Sequence, residues 1–115
     1  MKHLAWAIGV ALVLPLGART AAAQAQAPDG AALYKTHCRS CHGATGVPTP
    51  RMAALYKNLL AIDSAYLAGR SEDSIVTVLA AGIGSDMKPY KGKLTPDEMR
   101  AIAVYCRVLA KPATP

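Results

Sequence analysis

The 115-residue chain has no phenylalanine and one tryptophan, Trp6, and aromatic residues make up only 5 % of it. Large aromatic side chains ordinarily supply much of the buried area of a small domain, so this core is short of them. Asp and Glu are also scarce, seven against 13 Lys and Arg. The basic residues nevertheless form no run interleaved with aromatics, which argues against a nucleic-acid surface. There is no internal repeat and no alternating pattern that reads as a strand. The longest apolar run falls short of the roughly 20 residues that a membrane-spanning helix needs.

That run lies at the N-terminus. Lys2 and His3 open it, Leu4 to Ala18 is apolar, Pro15 and Arg19 interrupt its end, and Ala21-Ala22-Ala23 supplies small residues. This order reads as a secretory signal peptide over residues 1–23, cleaved after Ala23 or, second, after Ala25. An uncleaved anchor is the weaker alternative, because the run is short and broken. Removal takes away Trp6, Lys2 and Arg19 and leaves 92 residues carrying eleven basic and seven acidic side chains. Such a chain is one small domain, too small to be comfortably stable on its side chains alone. Its modest basic excess suits steering toward acidic partner proteins.

Cys38-Arg39-Ser40-Cys41-His42 is the stretch that carries chemistry. Two thiols three positions apart lie on one helical turn, where each can add to one vinyl group of a haem. A histidine directly after the second cysteine is then placed to bind the iron as proximal ligand. The competing readings of Cys-x-x-Cys need more than the chain offers: a thioredoxin-like pair expects a βαβ setting, and a zinc site needs two further ligands. The remaining cysteine, Cys106, reads as a small buried apolar residue. His37 reads as solvent-exposed. A covalently attached haem, large and apolar, supplies the core that the missing aromatics do not.

Periodicity and capping residues predict an all-α domain over residues 29–111. Residues 24–28 form a polar leader and 112–115 a tail. Asp29 caps a helix from Gly30 to Thr36 that delivers Cys38. Gly43 to Pro50 must be a loop. Met52, Leu55, Tyr56, Leu59 and Leu60 recur at helical intervals within 51–60, and a further turn is expected over 63–67. Ser71 caps a helix over 72–81 that Gly82 ends. A second loop, 82–94, contains Met87, Pro89 and Tyr90. Thr95-Pro96-Asp97-Glu98 is a capping box opening a last helix to about Ala110, with Met99, Ile102, Ala103, Cys106 and Leu109 on one face.

Taken together, Asp29-Gly30, Leu33-Tyr34, Cys38 to Gly43, Gly82 to Met87 and the closing helix with Tyr105 resemble the small bacterial class I c-type cytochromes, of the soluble or oxidase-associated monohaem kind. The resemblance spans nearly the whole chain beyond the signal segment. It implies a cytochrome c fold of about four helices around one haem c, held covalently by Cys38 and Cys41. It also implies axial iron ligation by His42 and Met87. The sequence favours Met87 independently, since Met87 sits in a Gly/Pro loop able to fold over the opposite haem face. Met99 lies on a helical core stripe, and Met52, which begins a helix, is the other candidate. The family usually has proline directly after the ligand methionine, whereas Lys88 intervenes here before Pro89.

Further carry-overs are finer. A proline carbonyl after the histidine typically accepts its Nδ1 proton, with Pro48 and Pro50 both candidates. The first and last helices are expected to cross closely at Gly30 and Tyr105. Tyr90 is a candidate to hydrogen-bond a haem propionate, with a place at the edge of the core as the other reading. With both axial positions filled the iron has none open to substrate, so the resemblance implies a periplasmic one-electron carrier rather than an enzyme. Lys88, Lys91 and Lys93 would guide docking to an acidic redox partner: a dehydrogenase, a cytochrome complex or a terminal oxidase. The carrier would be a monomer when free, meet the membrane only through a partner, and bind no nucleic acid. The alternatives are a haem c subunit of a dehydrogenase or terminal oxidase complex, and a ligand-binding haem protein lacking the Met87–iron bond.

Overall fold

The computed structural model describes residues 26–111. The signal segment 1–23, Gln24 and Ala25 of the leader, and the tail 112–115 lie outside the described residues. Residues 26–28 carry no helix and are exposed. Six helical segments follow: α1 (Gly30–His37), α2 (Arg39–His42), α3 (Pro50–Leu55), α4 (Ser64–Leu67), α5 (Glu72–Ala81) and α6 (Pro96–Leu109). Two of these, α2 and α4, are single turns of four residues, so four longer helices carry the fold. Among the described residues the only strand-like pairings are two isolated bridges, Ile83 with Met87 and Lys91 with Leu94.

Side-chain caps set where these helices begin. The Asp29 carboxylate accepts from the amides of Ala31 and Ala32 at 3.0 and 3.1 Å. Asp63 accepts from Tyr66 at 2.8 Å and Ser71 from Ser74 at 3.1 Å. The capping box of α6 is complete: the Glu98 amide donates to Thr95 Oγ1, and Glu98 Oε2 accepts from the Thr95 amide. Each cap satisfies amides that the first helical turn leaves unpaired.

One helix is shorter than its periodicity predicts. α3 begins at Pro50, with Thr49 as cap, and stops at Leu55 rather than running over 51–60. Tyr56 leaves helical geometry at φ −122° and ψ 89°. The chain turns there, and Tyr56, Leu59 and Leu60 reach the wall of a central cavity.

α6 is the spine. Met99, Ile102, Ala103 and Cys106 on its inner face are all buried, with Ile102 1 % exposed. α1 crosses it at Gly30, where an added methyl would fall on the Ala101 carbonyl oxygen and also meet the Tyr105 Cβ at 3.2 Å. The Tyr34 and Tyr105 rings pack beside this crossing, 5.4 Å apart and tilted by 59°. α5 packs on another part of α6 through Ile75 and Leu79. Arg100 of α6 pairs with Asp73 of α5 at 2.7 Å on the exposed side. Because overpacking a close helix crossing costs roughly 1–3 kcal/mol, Gly30→Ala is expected to lower stability by about that amount, measured as a lower thermal midpoint in far-ultraviolet circular dichroism.

Candidate functional site

α1 runs into the attachment motif with one interruption. Cys38 ends α1 and caps α2, its amide donating to the Tyr34 carbonyl at 2.9 Å while its carbonyl accepts from the His42 amide at 2.9 Å. Cys38 and Cys41 thus sit on one turn, the first 8 % exposed and the second half-buried. Gly43 ends the turn with φ 78°, a left-handed conformation that favours glycine. A methyl there would fall on the Val47 carbonyl, so the chain folds back tightly over the motif.

Cys38, Cys41 and His42 line one side of a cavity of about 610 Å³. Its walls are largely apolar and include Leu67, Ile75, Leu79 and Ile102. Met87 lines it too, whereas Met52 and Met99 do not. Met99 is 4 % exposed in the core, and Met52 is half-buried on α3. The Met87 loop is a closed hairpin: the Ile83 amide donates to the Met87 carbonyl at 2.8 Å, and the Met87 amide donates to the Ile83 carbonyl at 3.1 Å. Gly82 makes room for it at φ 69°, with the Met87 carbonyl where a side chain would stand. This pairing holds Met87 by its own backbone, with the exposed Lys88 between it and Pro89.

The surroundings of His42 correct one expectation. Its Nδ1 is buried and has no hydrogen-bond partner, so neither Pro48 nor Pro50 offers it a carbonyl. Pro50 is taken up as the first residue of α3, and Pro48 lies against Gly43. Burial holds the His42 imidazole below its ordinary value, which favours the neutral ring that can bind a metal.

Of the two readings of Tyr90 the edge-of-core one holds, and the expectation for His37 changes. The Tyr90 hydroxyl donates to the His37 carbonyl at 2.8 Å, so its hydrogen goes to the backbone and its ring stands at the edge of the core. His37 is half-buried rather than exposed, lines the cavity, and meets the Tyr90 ring edge-on at 5.9 Å and 78°. The loop that brings Tyr90 over α1 is what covers it. A buried tyrosine also proves to be part of the site: the Tyr34 hydroxyl donates to the Gly43 carbonyl at 2.8 Å, directly after His42. A single tyrosine inside a helical pattern carries no signal for that bond, because Gly43 lies nine residues away.

The cavity suits a haem on observations of its own. Two thiols and a neutral histidine converge on an apolar hollow that also receives a thioether, and apolar walls of this kind hydrate poorly. Residues 25–106 match the family described as cytochrome c oxidase, cbb3-type, subunit III. The chain belongs to this family. As a cytochrome c domain it carries covalently bound haem c with its iron and transfers electrons. The cbb3-type cytochrome c oxidase subunit FixP of Azorhizobium caulinodans is 30 % identical over 83 residues, which are 72 % of this chain and 27 % of FixP. The FixP of a Bradyrhizobium species matches to the same extent. The chain thus spans about a quarter of the length of these curated relatives. The solved KustC0563 c-type cytochrome superposes with a TM-score of 0.64 at 34 % identity, over 72 % of this chain and 99 % of that one.

Burial pushes the Cys106 thiol up to about 11, so it stays protonated and unreactive in this cytochrome c domain. Ellman's reagent is therefore expected to find no thiol in the native protein and one after unfolding. Three after unfolding would mean that Cys38 and Cys41 are not bonded to haem.

Proposed function

We propose that this cytochrome c domain is a periplasmic one-electron carrier whose haem is attached through Cys38 and Cys41 and whose iron is held by His42 and Met87. The observation that carries the reading is that Met87, alone among the described methionines, lines the cavity that the attachment motif also lines. Haem c supplies an iron that alternates between ferric and ferrous states, and methionine ligation favours the reduced one. The chain's own residues hold that group rigidly: α2 and the Gly43 turn fix His42, and the Ile83–Met87 pair fixes the thioether. With His42 and Met87 both holding the iron, no position would be left for a substrate, which would set the role apart from catalysis.

The open side of the cavity is where electrons would pass. Lys88 lies on its rim, and Lys91 and Lys93 stand exposed along the same loop. Leu60 and Ile83, 63 % and 54 % exposed, add an apolar margin to the same rim. A basic loop beside an apolar rim suits transient docking to an acidic redox protein, with charge setting the encounter rate. Residues 1–23 are the export signal in this reading, and 29–111 the working domain. Among the described residues no helix is long and apolar enough to cross a membrane.

A second reading, a haem c subunit of a terminal oxidase or dehydrogenase complex, is supported by the likeness to FixP. The free carrier is supported by the solved c-type cytochrome, which this chain matches over 99 % of its length. The two are separated by expressing the full chain in its host and fractionating the cells. A monomer in the periplasmic fraction whose mass begins at Gln24 or Gln26 is the expected result, and co-purification with a catalytic subunit would favour the second reading.

The ligand assignment has its own test. Met87→Ala is expected to abolish the near-infrared band of methionine–iron coordination, lower the midpoint potential and let the reduced protein bind carbon monoxide, which the native protein resists. Native protein that binds carbon monoxide equally well would instead be a ligand-binding haem protein.

A further inference from the structure

Loop 82–94 is tied to the rest of the molecule in two different ways. The Tyr90 amide donates to the Leu79 carbonyl at 2.9 Å and the Lys91 amide to the Ala80 carbonyl at 3.3 Å, which anchor the loop to the end of α5. The second tie leads to the attachment segment. The Tyr90 hydroxyl reaches the His37 carbonyl at 2.8 Å, across 53 residues of sequence. Among the described residues this is the only hydrogen bond between loop 82–94 and the segment 37–43. Its acceptor belongs to the residue directly before Cys38, and its donor lies three residues after Met87, with the stiff Pro89 between.

The placement has a mechanical consequence. Opening the Met87 side of the cavity would move the loop away from α1, and the backbone ties of Tyr90 and Lys91 reach only α5, so neither of them resists that movement. The Tyr90 bond spans the gap that such a movement would open. We propose that Tyr90 is a positioning residue, a latch that holds the Met87 loop against the attachment helix and so keeps outside ligands from the iron. This rests on the reading of Met87 as an axial ligand.

The bond is a neutral one whose net worth corresponds to about a threefold to tenfold change in an equilibrium. The test uses the haem-loaded protein and the Tyr90→Phe variant, which removes the hydroxyl and keeps the ring against His37. Imidazole is titrated into the ferric protein and followed by its spectrum, and the near-infrared band is followed on heating beside the far-ultraviolet signal. Tyr90→Phe is expected to bind imidazole roughly threefold to tenfold more tightly and to lose the band well before the helices melt. Gly30→Ala, which loosens the helix crossing away from the loop, is expected to lower the melting temperature with the band and the helices lost together.

Equal imidazole binding by Tyr90→Phe and the native protein, with the band present in both, overturns the latch and leaves the ligand reading standing. A native protein without the band removes the ligand reading and the latch with it. An earlier melt of Tyr90→Phe in which band and helices disappear together reduces Tyr90 to a structural role and also overturns the proposal.

Discussion

The close crossing of α1 over α6 at Gly30 is the contact on which the rest of the domain depends. With no side chain at Gly30, the helix backbones approach until the Ala101 carbonyl occupies the place of the missing methyl. That approach aims α1 so that Cys38, at its end, faces Ile102 and Cys106 on the inner side of α6. α5 packs on the same spine, and its C-terminal end, through Leu79 and Ala80, holds the Met87 loop. Both sides of the haem cavity are therefore referred to one helix. A shift at the crossing would move Cys38 and Cys41 relative to Met87, which lies 57 residues beyond Gly30.

The attachment segment is held at both ends by tyrosine hydroxyls bonded to backbone carbonyls. Tyr34 takes the carbonyl of Gly43, just past His42, and Tyr90 takes that of His37, just before Cys38. Buried carbonyls in so irregular a stretch need partners, and an unpaired one costs free energy comparable to a lost hydrogen bond. The His42 ring, by contrast, has no partner at Nδ1. The chain's few aromatic residues are spent largely on this framing: four of the five tyrosines line the cavity, and Tyr105 packs on one of them.

Haem supplies what a chain without phenylalanine lacks. The buried residues are few and mostly aliphatic, and many face the cavity as well as each other. A small domain that gives its centre to a cofactor gains burial from it, and covalent attachment keeps that contribution with the chain. The same arrangement separates the tasks of the surface. The rim carries Lys88 with Leu60 and Ile83, while the ion pairs of Arg100 and Arg107 with Glu72 and Asp73 lie on the side where α5 meets α6.

Sequence alone determined what is local. Asp29, Ser71 and Thr95 announce helix starts because their side chains bond amides two or three residues on, and Cys38 to His42 announces attachment because one turn brings both thiols together. The α6 core stripe follows from helical period, and Met87 stands out as the methionine in a loop of glycine and proline. Tertiary structure decided what depends on distant partners. It ended α3 at Leu55 and turned Tyr56 and Leu59 to the cavity wall. It set His37 half-buried against the Tyr90 ring and gave the Tyr90 hydroxyl to a carbonyl 53 residues away. It left His42 Nδ1 without the proline carbonyl that the motif leads one to expect. None of these is written in a spacing, since each turns on where a chain segment comes to rest after the helices have packed.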